Sequence, residues 1–255
     1  MPNHIQNKLV ICGEAEDITR LINTIQTTSA NGDVCYIDFN KIIPMPEELE
    51  FLVEGSDKTW GLAYYAIKNN KPEIIQKFCH YLTDAAIRLA EKPEDELERL
   101  YACGERAYNA YEKYGATSWY DWRVFNWGTK WNAYETTTSD ANDENTHIIY
   151  FQTAWNGAIP VIEKLVSMFP ELDFDYKYAD EDFSYNTGIG WSDGEGGLAM
   201  NFPDGGSDEA VETYIECWDE EEDDYYKNDK GEWRCRLWDD DEDEDDDEED
   251  EENED

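Results

Sequence analysis

The chain has 255 residues and a formal net charge of −42, from 62 acidic and 20 basic side chains. That balance argues against a surface made to grip phosphate backbones, where affinity comes from cationic side chains releasing counterions. The length allows one good core with decorations, or two small ones.

The first elements follow a strand, helix, strand order. NKLVICG (7–13) has the composition of a short buried strand. After Asp17, Ile18, Leu21, Ile22 and Ile25 fall at i, i+3, i+4 and i+7, one face of a helix. Ser29, Asn31 and Gly32 stop it, and VCYIDF (34–39) resumes extended structure. In KIIPMPEEL (41–49), Pro44 and Pro46 exclude an ordinary ladder strand and impose an extended exit from the sheet.

A mostly helical insertion follows, at about 70–128. Asn70, Pro72 and Glu73 begin a helix whose stripe is Ile75, Phe78, Leu82, Ala86 and Leu89, closed by Pro93. PEDE (93–96) opens a second helix with acids that suit its positive dipole end. Its face is Leu97, Leu100, Tyr101, Tyr108 and Tyr111, and Gly115 ends it. In SWYDWRVFNWGTKWNAY (118–134), Ser118 and Asp121 make a start like a capping box and Gly128 suits the C′ position, so Trp119–Trp127 is a helix. Apolar residues lie on nearly all its sides, which favours burial. Were the stretch exposed, Trp119, Trp122, Trp127 and Trp131 would be its partner-binding residues. TKWNAYET (129–136) has strand composition.

The strand, helix, strand order then returns. HIIYFQTAW (147–155) is a strand, and Asn156 caps a helix with Pro160 in its tolerant first turn and Ile159, Ile162, Val166 and Phe169 on its buried face. LDFDYKY (172–178) alternates apolar and charged residues, as a strand with one wet face does. Two β-α-β halves with a helical insertion between them imply an α+β, ferredoxin-like sandwich: an antiparallel sheet, helices on one face and a single core. GIGWSDGEGG (188–197) is a hairpin turn around Asp193 and Gly194 rather than a phosphate loop, because it leads into the strand LAMNF and not into a helix. Asp180–Asp182 reads as a solvated turn, since it lacks the alternating ligands and central glycine of a calcium loop.

SDEAVETYIECW, capped by Ser207, is the last ordered helix, and it completes a domain over 1–218. Residues 219–238 form a partly ordered aromatic and acidic extension. Its segment YYKNDKGEWRCRLW suggests a hairpin around Asp229–Gly231, with Trp233, Leu237 and Trp238 anchored on the domain or on a partner. Residues 239–255 hold sixteen acids and one asparagine, a composition of disorder. From Asp219 onward the net charge is −20, so the first 218 residues keep −22 of their own.

MPNHIQNKLVICG, FNKIIPMPEEL (39–49), NWGTKWNA (126–133) and YADEDF (178–183) together resemble the YubB ferredoxin-like domain family of bacteriophages, plasmids and related bacterial sequences. The resemblance spans about residues 1–203. It implies a ferredoxin-like fold and a mobile-element setting, and it brings no catalytic residues.

No stretch reaches the roughly 18 apolar residues of a spanning helix, and MPNHIQNKLV lacks a basic signal-peptide start. Cys12, Cys35, Cys79, Cys103, Cys217 and Cys235 form no C-x-x-C pair and no metal-ligand spacing with His4, His80 and His147. A reduced protein of the bacterial cytosol, with no cofactor or metal, is the expectation. The favoured role is a non-catalytic accessory binding protein, in its sharpest form an acidic, nucleic-acid-mimicking inhibitor of a host or defence factor. Its partner would be a basic protein or a nucleic-acid-binding host factor, with no direct DNA binding and no membrane. One alternative is an RNA-binding domain that stacks bases on Tyr150, Phe174 and Tyr176. The other is an enzyme with an unrecognised active site.

Overall fold

The computed structural model describes residues 2–78, 88–139 and 143–239. In chain order its elements begin with β1 (His4–Cys12), α1 (Ala15–Ile25), β2 (Thr27–Thr28), β3 (Val34–Cys35), α2 (Phe39–Ile42) and α3 (Glu47–Glu50). Then come α4 (Ser56–Lys68), α5 (Pro72–Phe78), α6 (Glu94–Tyr114), α7 (Trp119–Trp127), β4 (Tyr134–Thr138), β5 (Thr146–Ala154) and α8 (Ile159–Met168). The chain continues through β6 (Asp173–Asp180), β7 (Gly188–Ser192), β8 (Leu198–Asn201), α9 (Asp208–Trp218), β9 (Tyr225–Lys227), β10 (Trp233–Cys235) and α10 (Arg236–Asp239). Leu82 and Ala86 of the expected first insertion helix, Cys79, His80, the Trp238 side chain and the acidic run from 240 onward lie outside the described residues.

Contacts divide the chain into two units, Met1–Ile37 with Ala133–Gly157 and Leu165–Asp255, and Asp38–Asn132 with Ala158–Lys164. The first holds an antiparallel sheet of order β4-β5-β1-β6-β7-β8. Strands β4, β5, β1 and β6, joined in the chain order β1-α1-β4-β5-α8-β6, make the fold ferredoxin-like, and β7 and β8 extend the sheet beyond β6. β1 is central, with Leu9 opposite Ile149 on one side and Tyr176 on the other. Alternation does the sorting: Ile5, Asn7, Leu9 and Ile11 are buried while the residues between them are half-exposed. Ile18, Leu21 and Ile25 of α1 are buried as their spacing requires, at roughly 2 kcal/mol of transfer free energy each.

Two expectations change. VCYIDF does not supply the second sheet strand. Only Val34 and Cys35 of the segment form a strand, pairing with β2, and the Asp38 side chain then accepts from Asn40 N–H to cap α2. The second strand is β4, and it starts at Tyr134, so the insertion precedes it and Thr129–Ala133 is not strand. Nor does the sheet have helices on one face only. α9 packs against β6, β1 and β7 on the face that carries Lys8 and Lys177, where Ala179, Tyr214, Cys217, Tyr225 and Cys235 form a second small core. The two prolines lie between short helices, with Pro46 as the N-cap of α3.

A polar residue, Asn7, sits fully buried at the centre of the main core. Its amide N–H groups donate to the carbonyls of Ile5 (3.0 Å) and Phe151 (3.2 Å) and to Thr153 Oγ1 (3.0 Å), and its oxygen accepts from the Tyr176 hydroxyl at 2.6 Å. The network ties β1 to β5 and β6. Tyr176→Phe deletes one donor and strands a buried acceptor, so equilibrium urea unfolding should show a loss of about 1–3 kcal/mol. A loss below a few tenths would mean that Asn7 has another donor.

In the second unit, α4 and α6 form the principal helix pair, packing Leu62, Ala63, Tyr65 and Ala66 against Leu100, Ala107 and Tyr101. They cross at Gly61 and Gly104, where a Cβ on Gly61 would lie 2.7 Å from the Leu100 carbonyl oxygen and one on Gly104 would overlap the Gly61 peptide. α4 lies ahead of the expected 70–128 span, because its apolar residues surround the helix and its glycine looks like a breaker. α6 ends at Gly115, φ 73°, in the left-handed region. α7 starts at Ser118, whose hydroxyl accepts from Asp121 N–H, and stops at Gly128, φ 77°.

Candidate partner-binding groove

The outer sheet face carries a groove of about 910 Å³. Its apolar side comes from Val211, Ile215, Tyr225 and Trp233, and its acidic side from Glu212, Glu216 and the run Asp219–Asp223. The sequence positions these groups locally. Ser207 caps α9 by accepting from Ala210 N–H at 3.2 Å, and Ala210, Val211, Tyr214 and Cys217 face inward, while Glu212 is exposed and the half-buried Glu216 reaches the sheet. Asp219 takes φ 57°, a conformation that asparagine and aspartate tolerate, and it turns the acid run off the helix end. Tyr225–Lys227 then pairs with Trp233–Cys235.

Glu216 alone among these acids is neutralised. Lys8 donates to one of its oxygens at 2.9 Å and Lys177 to the other. Burial pushes the Glu216 carboxyl up, but the hydrogen bonds and charges of the two lysines outweigh it and hold the group below its ordinary value. Lys8 is lowered by burial and raised by Glu216, with a net rise. Among the described residues no ion pair neutralises Glu212 or Asp219–Asp223, which are solvent-exposed. The groove therefore combines a partly apolar wall with a concentrated negative field.

The sign of the pH dependence follows from Glu216. Its folded pKa lies below the unfolded value of about 4.3, so its stabilisation is complete above that value and disappears as pH falls through the folded one. Glu216→Gln should cost about 1 kcal/mol at pH 7, a figure discounted for partial exposure, and nothing at a pH where both states are protonated. Urea midpoints of the two proteins that stayed apart at low pH would show that packing, not charge, accounts for the loss.

Of the six tryptophans singled out from sequence, the five whose side chains are described occupy different settings. Trp122 and Trp127 are interior, 7% and 0% exposed, and offer no face to a partner, because their rings pack edge to face against each other at 5.7 Å. Trp127 Nε1–H donates to the Ile43 carbonyl at 2.9 Å. Trp119 is half-buried with the Arg123 guanidinium over its ring, and Trp131 is half-buried with the Lys130 ammonium over its ring. These four belong to the second unit. Trp233 is in the groove wall, its indole N–H donating to Asp208 at 2.9 Å and its face beneath the Lys227 ammonium. The helix around Trp122 also exposes Phe125, 84% accessible.

Of the aromatics considered for RNA stacking, Phe174 and Tyr176 are buried on the core face, and only Tyr150 is on the outer face, with Lys8 Nζ 5.8 Å from its ring centre. His4 Nδ1 is 2.7 Å from the Tyr134 hydroxyl, and burial lowers the pKa of His147. Among the described residues no group of three His, Cys, Asp or Glu side chains could hold a metal, and Cys12, Cys35, Cys103, Cys217 and Cys235 are free thiols. No helix among them is long and apolar enough to cross a membrane. Reading the sequence alone missed Lys8, Glu212 and Glu216 as groove residues. The usable signal was the run WDEEEDD placed directly after the last aromatic of an amphipathic helix.

With this geometry described, the class is a ferredoxin-like α+β protein. Residues 126–228 match the family model described as the ferredoxin-like domain in Api92-like protein. The crystal structure of a protein api92 from Yersinia pseudotuberculosis aligns with 81% of this chain and 100% of its own, at 8% sequence identity and a TM-score of 0.38. No curated protein matches the sequence.

Proposed function

We propose that the protein is a non-catalytic accessory binding protein whose acidic groove receives a positively charged segment of a basic or nucleic-acid-binding partner. The observation that supports this is the exposed run Asp219–Asp223 with Glu212, unneutralised among the described residues and set beside the half-buried apolar residues Ile215 and Trp233. A field of this sign repels phosphates and attracts cationic surfaces over roughly 8 Å at physiological salt. The resemblance to the YubB family adds a setting, the cytoplasm of a bacterium that carries a phage or other mobile element. In that setting the role is an acidic inhibitor that occupies a nucleic-acid site on a host or defence factor.

The test is competition. The full chain should fail to shift DNA or RNA in a gel, and it should displace nucleic acid from a basic protein, more weakly as salt rises. The isolated tail, residues 239–255, serves as the comparison at about 0.15 M salt. The triple variant Glu212→Gln, Glu220→Gln, Glu221→Gln should lose several-fold in potency while keeping the tail. If the tail alone competes as well as the full chain, the groove has no part in binding. Tight RNA binding at that salt would replace the proposal with RNA recognition.

A further inference from the structure

The loops that follow β5, β6 and β8 meet at one end of the sheet in the first unit, and they hold aromatic rings out to solvent on unusual backbone. Trp155 has φ 73° and its residue is 40% exposed. A bulky side chain in the left-handed region is an outlier, since such positions favour glycine or asparagine. Tyr185 is 62% exposed and lies between two more such residues, Ser184 at φ 59° and Asn186 at φ 47°.

These loops are tied together. The Asn186 side chain donates to the Trp155 carbonyl at 3.1 Å and to Asp180 at 2.9 Å. Asn3 donates to Asp180 and Asp182 at 3.1 and 3.0 Å, and its carbonyl accepts from Trp155 N–H at 3.0 Å. The Tyr185 ring lies over Gly205, where a Cβ would come within 2.6 Å of it, and Gly206 N–H donates to the Ser184 carbonyl at 3.3 Å. The hydrogen-bonded loops thus carry two exposed aromatic residues, and the same loops carry the exposed acids Glu181, Asp182 and Asp204.

We infer that this surface is a docking site for an arginine-bearing segment of a protein partner, with the guanidinium stacked on Trp155 and Tyr185 and paired with Asp182 or Glu181. Charge complementarity decides the occupant. Aromatic faces attract cations, arginine stacks its planar fork on them more readily than lysine does, and carboxylates bind the same fork through paired hydrogen bonds. A nucleic-acid base would bring a phosphate into the field of those carboxylates. The site is separate from the groove, although both favour a cationic partner, and the two are distinguishable by variant.

The experiment titrates the full chain with an arginine decapeptide and a lysine decapeptide at about 0.15 M salt, by calorimetry. The tail beyond Asp239 has no aromatic ring, so it attracts both peptides alike. The wild type should bind the arginine peptide about five-fold more tightly than the lysine peptide. Trp155→Asn with Tyr185→Ala should abolish that ratio, with the melting temperature within a few degrees of wild type, because asparagine accepts the backbone at 155. Equal affinities in the wild type, absence of binding, or a ratio that survives in the double variant overturns the inference. The triple groove variant should weaken both peptides and keep the ratio. If it does so while the double variant changes nothing, the groove proposal stands and this one falls; the reverse pattern keeps this one and removes the groove. A double variant that unfolds is replaced by Tyr185→Ala alone, which must lower the ratio.

Discussion

Trp127→Ala should destabilise the second unit by about 4–6 kcal/mol. Truncating a buried tryptophan costs about 3–5 kcal/mol through lost transfer energy and the cavity left behind. Here the ring is fully buried, packs at 5.7 Å against both Phe39 and Trp122, and satisfies the Ile43 carbonyl. Leaving that acceptor without its donor adds about 1 kcal/mol or more. Hydrogen exchange resolved by peptide, together with urea unfolding, measures the loss in the affected unit. The control is Phe125→Ser two residues earlier, at a site 84% exposed, which should stay within about 0.5 kcal/mol of wild type. If Trp127→Ala cost no more than that control, the tryptophan stretch would not be the interior of the unit.

Gly104→Ala is the second large effect, and two principles give it opposite signs. In the interior of a helix, replacing glycine with alanine stabilises by about 1 kcal/mol. Gly104, however, faces the Gly61 peptide across the α4–α6 crossing, and the new methyl would meet backbone, which cannot rotate away. Overpacking of this kind costs about 1–3 kcal/mol. Because the new methyl meets backbone, the cost falls in the upper part of that range, and the expected net result after the propensity gain is destabilisation of about 1–2 kcal/mol. A melting temperature above wild type would show that propensity wins and that the helices do not approach so closely.

These two sites mark what the sequence could and could not disclose. α7 was readable because its signals are local: Ser118 before the helix, Gly128 after it, and aromatics on every side. α9 and the hairpin at Asp193, where the carboxylate accepts from the Glu195 and Gly197 N–H groups, were readable for the same reason. α4 was not. Its glycine is required by a contact with a helix some forty residues away, and nothing nearby announces that contact. The groove was half legible. Its acidity is plain in WDEEEDD, but the outer sheet face that receives α9 is built from distant strands, which bury Tyr214 and Cys217 against Ala179 and bring Lys8 and Lys177 to Glu216. VCYIDF misled because strand composition also suits a segment that turns, at Asp38, into a helix cap. There the Asn132 side chain accepts from Phe39 N–H and donates to Asp38, both at 2.8 Å. The segments FNKIIPMPEEL and NWGTKWNA are thus two sides of one packed structure.

The central position of β1 also sets the order in which the molecule can assemble. Lys8 pairs with Tyr150 and with Lys177, so β1 has no sheet neighbour until the distant strands β5 and β6 are in place. Asp38–Asn132, by contrast, is nearly complete within one continuous stretch and can close early on the growing chain. Contacts between residues distant in sequence carry the loop-closure entropy that slows folding. Refolding should therefore run in two stages, fast gain of helix followed by slow docking of the N-terminal strand. During the interval both edges of β1 are open, which makes it the strand most exposed to pairing with another chain.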